Sequence, residues 1–299
     1  MKYEWIKKKI DTLVIVLYLF VKILKLKFLF PISPSFILRM FNTGTNLLER
    51  LLFYNCANPF REVSANRQDK AGILWQVAWG KHSPASFRLI HKNSWSKGLN
   101  EMHALPIVVT KDPYSWMESL CRHPYSAQWK HSQQHCPNVI PNEVDISMGY
   151  IESKEEEDYL IKEGIPLTIY YASRRKVTHK NLVDAWNTWY GDYIEAKYPR
   201  LIVRFEDLLF HTEMVITQAC RCFGGEIINE SYFTYHVDSA KPDIGAHRGG
   251  YGLTEALLKY SDVSKRVKSL TKDDLVFANK VLNKTMMDLF QYSVEDAIT

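Results

Sequence analysis

The sequence predicts an α/β fold, a mainly parallel central sheet flanked by helices, and three observations carry that expectation. Short runs rich in β-branched and apolar residues alternate with longer segments whose apolar residues recur at i, i+3, i+4 and i+7. Each run is followed by a turn or a helix-starting signal, so successive strands are joined by helical crossovers, as parallel strands require. With 299 residues, 46% of them hydrophobic and 24% charged, the chain is long and apolar enough to bury a sizeable core.

Residues 1–30 are a basic, apolar N-terminal segment, and 31–299 read as a single domain. The formal charge of +5 sits entirely in the first part: residues 1–30 hold seven lysines against Glu4 and Asp11, and the remainder is neutral. No basic stripe spans the body, which excludes a general nucleic-acid surface. The run Thr12–Val21 covers about half of the ~20 residues that span a bilayer, and Lys22 interrupts it before Ile23–Phe30 continues apolar. Three readings are open: a signal-anchor or interfacial helix touching a membrane, an amphipathic helix covering the core, or a cleaved signal peptide. No small-residue cleavage site follows, which weighs against the last. In the anchor reading Lys7, Lys8 and Lys9 stay cytosolic and the body faces a lumen, as in a Golgi type II protein. Otherwise the chain is cytoplasmic.

Beyond Pro31 and Pro34, Phe36–Phe41 reads as a strand running into a turn at Gly44, and Leu47, Leu48, Leu51 and Leu52 then follow at helical spacing. Leu74–Val77 is a second strand, ending at Trp79-Gly80-Lys81-His82. Leu105–Thr110 is a third, running into Lys111-Asp112-Pro113, where Pro113 suits a first helical turn. From 125 to 180 the signals weaken, and the segment reads as an insertion over the active face. The acidic run Glu155–Asp158 within it reads as a solvated face. Asn181–Lys197 is a helix with Trp186, Trp189 and Tyr190 on its core face, and Leu201–Phe205 is a further strand. Thr271 with Asp274 forms a cap signature for a last helix reaching Leu289. Five cysteines, an odd count without framework spacing, argue against a disulfide-built scaffold.

Two of these strand ends carry chemistry. In Asn42-Thr43-Gly44-Thr45-Asn46 a strand hands over to a helix; Gly44 allows close backbone approach, and Thr43 and Thr45 offer hydroxyl donors to an anionic oxygen. Lys111 ends another strand, and Ser119 follows eight residues later, two turns into the next helix, where the pair can converge on a second anionic group. His82 is the candidate base, since imidazole titrates near neutral pH, and Lys81 the candidate electrostatic stabiliser. Lys241, His247 and Arg248, set among Gly245, Gly249 and Gly250, form a basic loop suited to closing over phosphates. His131, His135 and Cys136 fall short of the four ligands of a structural zinc site.

Taken together, these segments resemble the sulfotransferase family, whose donor is 3′-phosphoadenosine 5′-phosphosulfate. Thr43-Gly44-Thr45-Asn46 looks like the family's 5′-phosphosulfate loop, and Lys111 with Ser119 matches its 3′-phosphate pair, usually Arg and Ser eight apart. Trp79–His82, Val203–Leu208 and Lys241–Leu257 extend the likeness over about residues 35–265. The resemblance implies a P-loop-like three-layer sandwich, contact of Phe205 with the adenine, and transfer of a sulfuryl group to a hydroxyl of a carbohydrate or small-molecule acceptor, with no metal required. One position departs from the pattern: where the family has Lys or Arg before the Thr-Gly-Thr turn, this chain has Asn42, which brings no charge to the sulfuryl oxygens. Lys81 or Arg39 is left to supply it. A catalytically silent nucleotide-binding or membrane-tethered scaffold is the alternative that Asn42 suggests. A P-loop kinase is disfavoured, because the Walker Gly-Lys-Ser/Thr motif is missing.

Overall fold

The apolar run Leu105–Thr110, buried from Pro106 onward, is the central strand of a three-stranded parallel sheet. A strand buried on both faces reads as a continuous hydrophobic stretch, as this one does. The structure is a computed structural model that describes residues 35–57, 77, 79–80, 82–90, 104–132, 134–171, 175–238 and 252–292. Its architecture is mixed α/β, with eleven α-helices and three small sheets among the described residues.

In chain order, β1 (Ser35–Arg39) leads into α1 (Thr45–Asn55) and β2 (Cys56–Ala57), and after a 3₁₀ turn at Ala85–Arg88 come β3 (Leu105–Thr110) and α2 (Pro113–Arg122). Next are β4 (Ala127–Gln128), α3 (Glu143–Ser147), α4 (Lys154–Glu163), β5 (Leu167–Tyr170) and β6 (Lys176–His179). The chain continues with α5 (Leu182–Glu195), β7 (Leu201–Arg204), α6 (Phe205–Phe210), α7 (Thr212–Cys222) and β8 (Glu226–Ile227). It ends with α8 (Leu253–Tyr260), α9 (Val263–Val267), α10 (Lys272–Val281) and α11 (Lys284–Leu289). β3 lies between β1 and β7, with Arg39 opposite Val109 and Thr110 opposite Arg204. The three strands therefore deliver their following loops side by side at one sheet edge, the edge where open α/β sheets place ligands.

Two apolar clusters hold this sheet. One contains Leu48, Leu51, Leu52, Ile107, Val109, Val203 and Ile216, so α1 and α7 belong to it. The other is aromatic: Trp186, Trp189, Tyr190 and Tyr193 of α5 are fully buried with Trp79, Tyr114 and Trp116. Their polar tips are bonded, Trp186 Nε1 to Lys111 O and Tyr190 Oη to Val109 O, so the aromatic helix also fixes the end of β3. Removing one such ring from a packed core costs about 3–5 kcal/mol.

The segment 125–180 is more regular than the sequence suggests. β4, β5 and β6 form an antiparallel sheet, and α3 and α4 start at clear caps, a capping box of Asn142 with Asp145 and the Ser153 side chain accepting from Glu156 N. The acidic run opens α4, where carboxylates complement the helix dipole. At the C-terminus the expected single helix is two. Thr271 and Asp274 form the anticipated capping box, but α10 stops at Val281, and Asn283 caps α11 by accepting from Met286 N while its own N–H donates to Asn187 Oδ1.

Four cysteines pair as Cys56–Cys220 and Cys121–Cys136, a departure from the expectation that their spacing raised. Spacing could not show it, because the first pair is 164 residues apart and meets only through the packing of α1 on α7. No described helix is long and apolar enough to cross a membrane, and residues 1–34 lie outside the described residues, as does most of the expected Leu74–Val77 strand.

Candidate anion-binding site

β1 hands over to α1 through a turn in which Asn42 has φ 61° and Gly44 φ 77°. Both are in the left-handed region, which asparagine and glycine tolerate best. Gly44 O accepts from Leu47 N and Leu48 N and begins the helix, whose first turn holds no acidic side chain. A helix N-terminus at the end of a parallel strand is a candidate position for an anion. Two loop residues face elsewhere than the sequence suggests. Thr43 is buried and its hydroxyl donates to Met40 O, 3.0 Å away, so it closes the turn. The Asn42 amide donates to Ser119 O and to His123 O, each at 3.1 Å, and so is directed at the C-terminal end of α2.

Lys111 follows β3 and is buried. Its ammonium donates to Ser119 Oγ at 2.9 Å and to Asn42 O at 3.4 Å, and Ser119 Oγ donates in turn to Ser115 O. Loss of hydration lowers its pKa to about 8, helped by the nearby Lys259 cation and opposed by Glu206, Glu118 and Asp112. Lys111 and Ser119 thus meet as the eight-residue spacing implied, and they lie next to the Gly44 loop.

β7 places Phe205 in the same row. Its ring lies so close to Gly44 that a Cβ there would come within 2.2 Å of it, and the ring makes an edge contact with Tyr260. The close approach that Gly44 permits is made here by an aromatic ring. Glu206 is buried beside Asp112, accepts from Asp112 N at 3.0 Å and from Tyr292 Oη at 2.9 Å, and burial raises its pKa. Asp112 caps α2 by accepting from Ser115 N and pairs with Arg266 at 2.9 Å.

His82 packs against the residue that precedes the loop. Its ring stacks on Phe41 with centroids 3.9 Å apart, and Phe41 stacks in turn toward Tyr125 at 5.7 Å. Trp189 Nε1 donates to His82 O and Trp116 Nε1 to Phe41 O, which fixes both backbones. The candidate base is therefore held one residue from the start of the loop. Of the other expected site residues, Thr45 is buried at the first position of α1 and Asn46 follows it. Lys81, Lys241, His247 and Arg248 lie outside the described residues, as does the Arg39 side chain.

Sequence reasoning missed two residues at the end of α8. Lys259 pairs with Glu118 at 2.9 Å, and Tyr260 lies beneath the Lys111 ammonium with its ring centroid 5.5 Å away. Neither belongs to a motif, and only the fold brings α8 against α2. His135 pairs with Asp274 at 3.0 Å and Cys136 is in a disulfide; among the described residues no group of three ligating side chains could hold a metal. The chain matches no model of a known protein family, and no curated protein matches its sequence.

Proposed function

We propose that this chain is a sulfotransferase that moves a sulfuryl group from 3′-phosphoadenosine 5′-phosphosulfate to a hydroxyl of a carbohydrate or small-molecule acceptor. One observation carries the reading: the Gly44 turn and the Lys111–Ser119 pair stand at neighbouring ends of parallel strands and touch, with Lys111 Nζ 3.4 Å from Asn42 O, so that they can serve as two anion cradles. One ligand bearing an anionic group at each end of a nucleoside suits such a pair. In this reading the parallel sheet is the centre of a P-loop-like three-layer sandwich.

Lys111 and Ser119 would hold the 3′-phosphate, and the first amides of α1, with Thr45 and Asn46, the 5′ end. Phe205 would face the adenine, which requires its ring to turn off Gly44 as the donor enters. His82 accepts the proton of the attacking hydroxyl as its oxygen bonds to sulfur and the bond from sulfur to the 5′-phosphate breaks. The charge left on the departing bisphosphate rests on the loop amides and on Lys81. The scheme uses no metal. Two disulfides support an oxidising compartment, in agreement with a lumenal body tethered to the Golgi membrane through residues 1–30.

A second reading, a catalytically silent nucleotide-binding protein, is favoured by the Asn42 amide, both of whose N–H groups are directed at the end of α2. Transfer of radiolabelled sulfate from the donor to a panel of hydroxyl acceptors separates the two. Turnover that disappears in His82→Ala supports the enzyme; donor binding without turnover selects the silent protein.

A further inference from the structure

We propose that Asn42 is a positioning residue that locks the two anion cradles at one spacing, so that a ligand with two anionic groups is gripped as a unit; this rests on the donor reading above. Three groups make a closed ring of hydrogen bonds. Asn42 O accepts from Lys111 Nζ at 3.4 Å, Lys111 Nζ donates to Ser119 Oγ at 2.9 Å, and Ser119 O accepts from Asn42 Nδ2 at 3.1 Å. A second bond from Asn42 Nδ2, to His123 O at 3.1 Å, ties the same side chain to the residue that ends α2. Asn42 thus belongs to the turn of the first cradle through its backbone and to the second through its side chain and carbonyl.

The residue type fits this task. Ser119 O already accepts from His123 N at 3.1 Å and takes the Asn42 amide on its second lone pair, His123 O belongs to the residue that ends the helix, and a planar amide offers two N–H donors in fixed directions to reach both. Asparagine also tolerates the positive φ that the turn imposes at this position. A lysine here would bring charge toward the loop, but its three donors turn freely on a flexible stem and fix no angle between loop and helix. In this chain the position supplies geometry in place of charge. The Gly44 loop cannot shift along α2 without breaking both amide bonds, so filling one cradle leaves the other at a set distance from the ligand's second anionic group. That arrangement raises the effective concentration of the second contact.

The test compares the affinity of one protein for three probes, adenosine 3′,5′-bisphosphate, adenosine 3′-monophosphate and adenosine 5′-monophosphate. The wild type should prefer the bisphosphate to either monophosphate by on the order of 100-fold. Asn42→Gly keeps the backbone conformation and removes the amide, and Asn42→Asp keeps the shape but turns a carboxylate toward two carbonyls. Either change should cut the preference to roughly tenfold or less, while each monophosphate binds within about threefold of its wild-type value, because the cradles persist and only their coupling is lost. A residue that merely stabilised the fold would weaken all three ligands together. If the wild type shows the preference and Asn42→Gly retains it, the positioning role is overturned and the donor reading stands. If the wild type binds none of the three, the donor reading falls, and the positioning role with it. Should both variants fail to fold, hydrogen exchange in the wild type decides. Adenosine 3′-monophosphate, which reaches only the Lys111 cradle, should slow exchange at the Thr43–Asn46 amides, and unchanged exchange there would overturn the proposal.

Discussion

The two proposed cradles differ in what they are made of. The one at Gly44 consists of backbone: a left-handed glycine and the first amides of α1, without a charged side chain in that helical turn. The one at Lys111 is a buried ammonium held by a serine hydroxyl and a carbonyl. A backbone cradle depends on the path of the chain and carries no titrating proton, so it is sensitive to volume and indifferent to pH. A cradle built on a buried cation is the reverse. Their supports differ as well, although each helix is stapled near its C-terminal end: Cys56 directly follows α1 and joins Cys220, and Cys121 lies on α2 and joins Cys136.

The staples give the largest expected effect. Breaking Cys56–Cys220 with Cys220→Ser opens a sequence separation of 164 residues, and breaking Cys121–Cys136 with Cys136→Ser opens one of 15. The loop-closure model puts the losses at about 5 and about 3 kcal/mol, measurable by urea denaturation. Equal losses would mean that the braces work through local packing instead. Gly44→Ala comes next. Its Cβ would meet Phe205 at 2.2 Å with φ +77°, so overpacking and left-handed strain together should cost about 2–4 kcal/mol and remove nucleotide binding. Binding that survives in a stable Gly44→Ala protein would show that the loop is not the first cradle.

Lys111→Ala should raise the dissociation constant of adenosine 3′,5′-bisphosphate on the order of 100-fold, since bonds from a charged donor to phosphate are the strong ones. A smaller effect comes from pH. With its pKa near 8, Lys111 is deprotonated in the free protein above that pH and must regain a proton to hold an anion. Bisphosphate affinity should therefore fall by up to about tenfold per pH unit above pH 8. Adenosine 5′-monophosphate, which engages only the backbone cradle, should bind with unchanged affinity over the same range. Parallel slopes for the two ligands would break the distinction. The smallest effect concerns the neighbourhood of the second staple, where His135 has its pKa raised by the hydrogen bond to Asp274. A raised histidine stabilises the fold fully below its unfolded pKa and loses that contribution as pH climbs through the folded value. His135→Gln should thus lower the melting temperature more at pH 5.5 than at pH 8.5.

The strand, turn and helix around Gly44 and the strands β3 and β7 are legible in the sequence because local order specifies them: at Gly44 a strand, a glycine and a helix start lie within a few residues of each other. Lys111 and Ser119 were legible through their two-turn spacing. The direction of the Asn42 amide was not, since it depends on where α2 ends, 77 to 81 residues further on. The resemblance implies contact of Phe205 with an adenine, while an aromatic at a strand end can equally be buried, and its packing onto Gly44 depends on β7 lying beyond β3 in the sheet. The antiparallel sheet of 125–180 went unseen because its strands are two to four residues long, too short for alternation to register. The cysteine pairs were hidden for a related reason: one joins a short strand to a helix and the other a helix to a loop, contacts that no local pattern encodes.

A crystal structure of the protein with adenosine 3′,5′-bisphosphate is the most direct measurement of the central claim, that two neighbouring cradles hold one nucleotide. The 3′-phosphate should lie within hydrogen-bond distance of Lys111 Nζ and Ser119 Oγ and the 5′-phosphate on the amides that open α1, with the Phe205 ring turned off Gly44. A nucleotide bound elsewhere, or one touching only one of the two cradles, would contradict it.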